Sequence, residues 1–193
     1  MTSFILASAS PRRIALLRAA GFDFEIVSPA IEESHSEFFT PIELTLFNAF
    51  QKATAVANHH PGGVVLGADT VVALGSETFG KPADLDDARR MLARLVGKSH
   101  EVITGIALLQ ASHNQLITRA VRTRVKFRSL SDPEIEAYLK TAEPLDKAGA
   151  YAAQNSPDLI IEKVTGSFSN VVGLPMEVVG PLLASAGIYP TAE

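Results

Sequence analysis

The stretch FILASASPRRIALLRAAGFDFEIV, residues 4–27, decides the fold class. Phe4–Ala7 is a short, continuously apolar run bounded by Ser8, the pattern of a buried strand. Ser10 followed by Pro11 reads as the N-cap and first residue of a helix. Ile14, Leu17 and Ala20 supply its apolar stripe, and Gly21 stands just past its end, where a left-handed residue belongs. Phe22–Val27 alternates apolar with polar residues and predicts a second strand. A strand, a turn of three residues, a helix and another strand announce an α/β protein.

The same grammar continues outward. Thr40-Pro41-Ile42-Glu43 has capping-box spacing with proline at the first helical position, predicting a helix towards Asn58. Gly63–Leu74 is β-branched and apolar except at Asp69 and Thr70, so it predicts a central strand or a hairpin with a carboxylate in its middle. Asp84 caps a helix through Leu95 that stops at Gly97, and Glu101–Gln110 and Gln115–Phe127 read as strands joined by Ser112-His113-Asn114. Ser131 and Glu134 form another capping box for a helix towards Lys140. A strand at Leu159–Val164 and a helix after Pro175 close the chain, with a kink or break expected at Gly180-Pro181. The expectation is one α/β domain over 1–193, a mixed central sheet flanked by helices, with about 84–145 as a candidate smaller lobe.

Composition excludes several chemistries. The 193 residues carry 17 basic and 21 acidic side chains, a net charge of −4, which argues against a dedicated nucleic-acid or anionic-membrane binder. With no cysteine, thiolate catalysis, disulfides and thiolate-ligated metals are absent. At 47% apolar and 20% charged residues the chain can build a real core. No signal-peptide pattern or apolar span suited to a membrane is present, so the expected location is the cytoplasm.

Two places invite chemistry. In Ser8-Ala9-Ser10-Pro11-Arg12-Arg13 a strand ends, two hydroxyls follow, and a helix begins with two guanidinium groups in its first turn. Cations are unfavourable at that end of a helix dipole, so an anion such as phosphate explains them better than a capping serine beside surface arginines. Asp69 is the second, because a carboxylate inside an apolar strand needs a partner, a metal or a function unless it merely caps a turn. Lys52, Lys81, Glu32 and Glu33 are weaker signals, each also readable as a solvated charge. Gly97-Lys98-Ser99 fails as a P-loop because Leu92 stands where a glycine is required. The five histidines show no metal-ligand spacing. Arg122, Arg124, Lys126 and Arg128 recur every second residue and describe one face of a strand, solvated or in contact with a polyanion.

Together these pieces resemble the Maf family of nucleotide pyrophosphatases. The resemblance rests on residues 6–13 (LASASPRR), Gln51-Lys52-Ala53, residues 67–72 (GADTVV), Gly80-Lys81-Pro82, residues 100–105 (HEVITG), residues 146–151 (DKAGAY) and residues 170–175 (NVVGLP). It implies a fold related to inosine triphosphate pyrophosphatases, a divalent cation (Mg²⁺ or Mn²⁺), and hydrolysis of a nucleoside triphosphate to monophosphate and pyrophosphate. Carried over by position, Asp69 matches the proton acceptor and metal ligand, and Glu33 an additional acid at the metal. Lys52 and Lys81 match the pocket lysines, and Ser8, Ser10, Arg12 and Arg13 the phosphate loop. Arg12, Thr70 and Gln154 fall where the branch acting on dTTP and UTP places its specificity residues. The chain departs from that branch where Asn155-Ser156-Pro157-Asp158 follow Gln154 in place of the usual glycine.

The expected partner is the nucleotide, with neither nucleic acid nor membrane; a homodimer is allowed. Two other functions stay open at this point: a nucleotide-binding regulator of cell division without turnover, and a nucleic-acid binder using the basic strand at 122–128.

Overall fold

A computed structural model describes residues 3–36, 38–154 and 157–191. The architecture is mixed α/β. The hydrogen-bonded strand order is β2-β1-β3-β5-β6-β7, with β4 beside β3, and the elements fall into two compact units. The first comprises Met1–Asp69, Thr104–Val121 and Gly173–Glu193; the second comprises Thr70–Ile103 and Arg122–Val172. Strands β3 (Val64–Leu74), β5 (Ser99–Gln110) and β6 (Gln115–Phe127) each supply residues to both.

In the first unit β1 (Phe4–Ala7) is buried at all four positions and pairs in parallel with β3, Phe4 to Ala7 opposite Val64 to Gly67. Such a strand is covered on both faces, which is why it reads as continuously apolar. Helix α1 (Pro11–Ala19) follows, and Gly21, at φ +78°, ends it. There the Gly21 N–H donates to the Arg18 carbonyl and the Phe22 N–H to the Leu17 carbonyl, the paired bonds of a Schellman cap. The expected strand over Phe22–Val27 shrinks to β2 (Glu25–Ile26), because the cap and the burial of Phe22 commit the first residues to closing the helix.

Strand parity then sorts the core. Phe4, Leu6, Val64, Leu66, Ala68, Ile106 and Leu108 join one cluster with Leu17 of α1 and with Val179 and Leu183 of α6 (Met176–Ser185). The opposite parity, Ile5, Ala7, Val65 and Ala107, packs with Ala49, Ala53, Val56 and Ala57 of α2 (Pro41–Ala57). This second face is thin because its residues are small. A Cβ at Gly67 would lie 2.2 Å from the Ala49 carbonyl oxygen, and one at Gly105 2.3 Å from the Thr45 carbonyl carbon, so α2 rests directly on the two strands.

The second unit begins with the end of β3, which turns through Gly75 (φ +66°) into β4 (Glu77–Phe79), a hairpin the sequence pattern did not announce. Asp84 caps α3 (Leu85–Leu95) by accepting from the Asp87 N–H, as expected. Helix α4 (Asp132–Ala142) opens with the Ser131–Glu134 box. Strand β7 (Ile161–Thr165) pairs antiparallel with β6, and short α5 (Phe168–Val172) follows. Along β6, Thr123, Val125 and Phe127 are buried while Arg122, Arg124 and Arg128 are exposed and Lys126 pairs with Glu162 at 3.2 Å.

Of the kink or break expected at Gly180-Pro181 in the first unit, the break is absent: helix α6 runs through both residues. The residue before a proline is normally pushed out of the helical region by its own Cβ, and Gly180 has none. No helix among the described residues is long and apolar enough to cross a membrane.

Candidate functional site

Asp69 is placed by two periodicities. In β3 it shares the parity of Val65 and Gly67 and so faces α2; on α2 the buried stripe includes Thr45, Asn48, Ala49, Lys52, Ala53 and Val56. The Lys52 ammonium reaches Asp69 Oδ1 at 2.7 Å and Glu33 Oε1 at 2.8 Å, bridging two carboxylates. Lys52 and Asp69 are both buried, at 6% and 5% exposure, while Glu33 is half-exposed. A cation between two carboxylates offsets the cost of desolvating all three.

The turn after β1 lies in the same unit. Ser8 is buried, and its Oγ accepts from the Ser10 N–H at 3.2 Å and from Arg13 Nη1 at 3.3 Å. The Ser10 side chain makes no cap bond to α1, because the Ser8 hydroxyl organises the turn instead. Arg13 points into the protein: Nε donates to the Gly173 carbonyl at 3.0 Å and Nη1 to the Ala68 carbonyl at 2.8 Å. Burial lowers its pKa, while Asp69 and Glu33 pull it back up. The Lys52 Nζ lies 3.5 Å from that same Ala68 carbonyl, so the phosphate-loop candidate and the carboxylate cluster share an atom. Arg12, on the first turn of α1, is half-buried.

Within the first unit, then, Ser8, Arg13, Glu33, Lys52 and Asp69 assemble around the ends of β1 and β3. Thr70 is the next residue of β3, half-buried, and opens the second unit. Lys81 and Gln154 belong to that second unit and are exposed. The Gly149 N–H donates to the Gly80 carbonyl at 3.0 Å, which ties the turn bearing Lys81 to the loop leading to Gln154. Gly149, at φ +68°, would set a Cβ 2.9 Å from Val72, so glycine is required there on both counts. Asn155 lies outside the described residues.

Sequence reasoning missed two sets of residues. Asn48 donates to Asp69 Oδ2 at 3.2 Å and exchanges two bonds with the backbone of Ser34. In the sequence it is only an amide four residues before Lys52 on one helix face, which by itself does not mark a site. In the second unit the Tyr138 hydroxyl accepts the Ala152 N–H at 3.0 Å, and His100 Nε2 lies 3.2 Å from the Tyr151 hydroxyl. These contacts hold the backbone just before Gln154. Burial drops the His100 pKa to about 4 and raises that of Tyr151, so both are neutral near pH 7.

Comparison with known proteins matches the family described as Maf-like protein over residues 3–186. The chain belongs to the Maf family. Among curated relatives of this Maf protein, one from Geotalea uraniireducens is 48% identical over 182 residues, covering 94% of each chain. Relatives from Dictyoglomus turgidum and Clostridioides difficile are each 45% identical, over 95% of both chains and over 94% and 93% respectively. All three are named dTTP/UTP pyrophosphatase. Solved structures of Ham1 proteins from Staphylococcus aureus and Coxiella burnetii resemble the Maf chain with TM-scores of 0.47 and 0.46, at 14% and 18% identity. They cover 65% and 66% of it and 72% and 73% of their own lengths.

Among the described residues no group of three or more His, Asp or Glu side chains is arranged to hold a metal ion. Asp69 and Glu33 are the two carboxylates that meet at Lys52. Each carboxylate has about four acceptor positions, and the named donors fill only part of them. That inventory fits Mg²⁺, which binds through one or two carboxylates and takes its other ligands from substrate phosphates and water.

Proposed function

We propose that the chain hydrolyses dTTP and UTP to the nucleoside monophosphate and pyrophosphate in a reaction that depends on a divalent cation. The observation that carries this reading is the Glu33–Lys52–Asp69 cluster, with Lys52 and Asp69 buried, in a family whose relatives described above are named dTTP/UTP pyrophosphatase. Enzymatic hydrolysis, rather than nucleotide binding alone, is supported by Asp69. A carboxylate fixed at one oxygen by an ammonium and at the other by an amide is preorganised to orient water and accept its proton.

The substrate brings about four negative charges, and the chemistry is mainly positioning and charge compensation. Arg12, the turn at Ser8–Ser10 and the N-terminus of α1 would bind the triphosphate, with Arg13 holding the ends of the turn from inside. Lys52 holds Asp69 in place through the 2.7 Å ion pair, and Lys81 would supply a further cation to phosphate oxygens. Water adds at the phosphorus nearest the nucleoside, its proton passes to Asp69, and pyrophosphate departs. Asp69 and Glu33 would hold Mg²⁺ or Mn²⁺, which supplies positive charge to the phosphate oxygens when bound. Gln154 would read the base, since a carboxamide can pair with the N3–H and O4 of uracil or thymine; Arg12 and Thr70 complete the specificity set.

The test is a screen of nucleoside triphosphates with Mg²⁺ or Mn²⁺ that reads released pyrophosphate. UTP and dTTP should be turned over, and Asp69→Asn should lose at least ~100-fold in kcat, the lower scale of general-base effects. Near-normal turnover in a folded Asp69→Asn protein would sink the assignment.

A further inference from the structure

Asn48 is 2% exposed on the packed face of α2, a position its aliphatic neighbours would fill without any polar group to satisfy. Its carboxamide makes three hydrogen bonds. The Ser34 N–H donates to Oδ1 at 2.9 Å, Nδ2 donates to the Ser34 carbonyl at 3.1 Å, and Nδ2 donates to Asp69 Oδ2 at 3.2 Å. A backbone N–H only donates, so the atom facing it must be the amide oxygen. That settles the orientation of the amide and leaves both Nδ2 hydrogens committed, one to the Ser34 carbonyl and one to the carboxylate.

The consequences meet at Lys52. Asp69 is gripped at Oδ1 by the lysine and at Oδ2 by Asn48, so its plane cannot turn about Cβ–Cγ without breaking a charge-assisted bond. Ser34 is pinned through its backbone, and the residue before it, Glu33, meets the same lysine at 2.8 Å. We infer that Asn48 is a positioning residue, which aims the Asp69 carboxylate and docks the Glu33–Ser34 segment onto it with one side chain. The inference rests on the proposed role of Asp69.

A simple loop anchor and a positioning residue respond differently to two substitutions. Asn48→Leu keeps the volume and removes every hydrogen bond. Asn48→Asp keeps an acceptor for the Ser34 N–H but replaces the donor to Asp69 with a second negative charge. For a positioning residue, kcat for UTP falls about 10- to 100-fold in Asn48→Leu, the scale of a lost bond to a charged group, and further in Asn48→Asp. KM moves little, because Asn48 is assigned no contact with nucleotide. Hydrogen exchange of the Ser34 amide quickens in Asn48→Leu and stays slow in Asn48→Asp, separating the anchoring function from the aim of Asp69. Should either variant fail to fold by far-ultraviolet circular dichroism, Asn48→Ser replaces it; serine is too short for either contact and should lower kcat as leucine does. An Asn48→Asp enzyme more active than Asn48→Leu, or variants within about twofold of the wild type, would overturn the positioning role alone. A wild type inactive on every nucleoside triphosphate would refute the functional reading and the positioning role with it.

Discussion

Gly67→Ala tests how closely the site depends on the seating of one helix. A Cβ at Gly67 would stand 2.2 Å from the Ala49 carbonyl oxygen and 2.8 Å from the Ala53 nitrogen, where ordinary contact begins at 3.4 Å. Both obstacles are backbone, so no rotamer relieves them and α2 must retreat by about 1 Å, with overpacking of this kind costing ~1–3 kcal/mol. Gly67 is not among the glycines with positive φ, so alanine is conformationally permitted there, and its intrinsic preference over glycine would by itself be slightly stabilising. The penalty is thus steric. Asn48 and Lys52 ride on the same helix, and a 1 Å retreat carries the Lys52 ammonium from 2.7 Å to beyond hydrogen-bond reach of Asp69. A displacement of that size can cost about 100-fold in rate. The assay is urea denaturation together with kcat/KM for UTP, run beside Gly62→Ala, where no atom lies within 4 Å of the added methyl. The control should match the wild type, while Gly67→Ala should lose both stability and turnover. Wild-type values for Gly67→Ala would refute the contention that this contact seats α2 and its two polar side chains.

Three further outcomes are expected. His100 has a folded pKa of about 4 against an ordinary 6.5, so it contributes stability above pH 6.5 that is lost as pH falls towards 4, at most about 3 kcal/mol; urea midpoints at pH 7 and pH 4 should converge less for the wild type than for His100→Phe, and equal pH dependence would count against a neutral buried imidazole. UTP should be preferred over CTP by about 5- to 150-fold, the kinetic equivalent of one unpaired buried polar group, and Gln154→Ala should erase the difference; a purine preference or unchanged selectivity would remove Gln154 from base reading. Chelation with EDTA should abolish pyrophosphate release and added Mg²⁺ or Mn²⁺ should restore it, whereas turnover at full rate in EDTA would dismiss the cation.

The elements that local chemistry decides were legible. The Thr40–Glu43 box opens α2 with reciprocal bonds of 3.3 and 2.8 Å, Asp84 caps α3, and Gly21 and Gly97 end helices at positive φ. The β5–β6 connection appears at Ser112-His113-Asn114, with Asn114 in the left-handed region that ends the turn. What went unread depends on tertiary context. Phe22–Val27 has the alternation of a strand, but only Glu25 and Ile26 pair with β1. Pro181 has the signature of a helix break, yet the helix continues through it, and the glycine before it removes one of the clashes that disfavour that course.

The site shows the same division more sharply. Asp69 was conspicuous because a charge in an apolar strand is costly, and no structure is needed to see that. Asn48 carried no such flag, since asparagine on a helix is commonplace at the surface. Its meaning follows from combining the helix repeat with the strand repeat. Lys52, four residues on, shares its face; Gly67, two residues before Asp69, shares the carboxylate's face; and Gly67 is where α2 touches β3. Once the helix is known to cross the strand at that glycine, the next residue of like parity on the strand must face the polar positions of the helix. The glycine that admits the helix therefore also determines which side chains meet the carboxylate, and an amide at position 48 can be recognised as part of the site only together with that crossing.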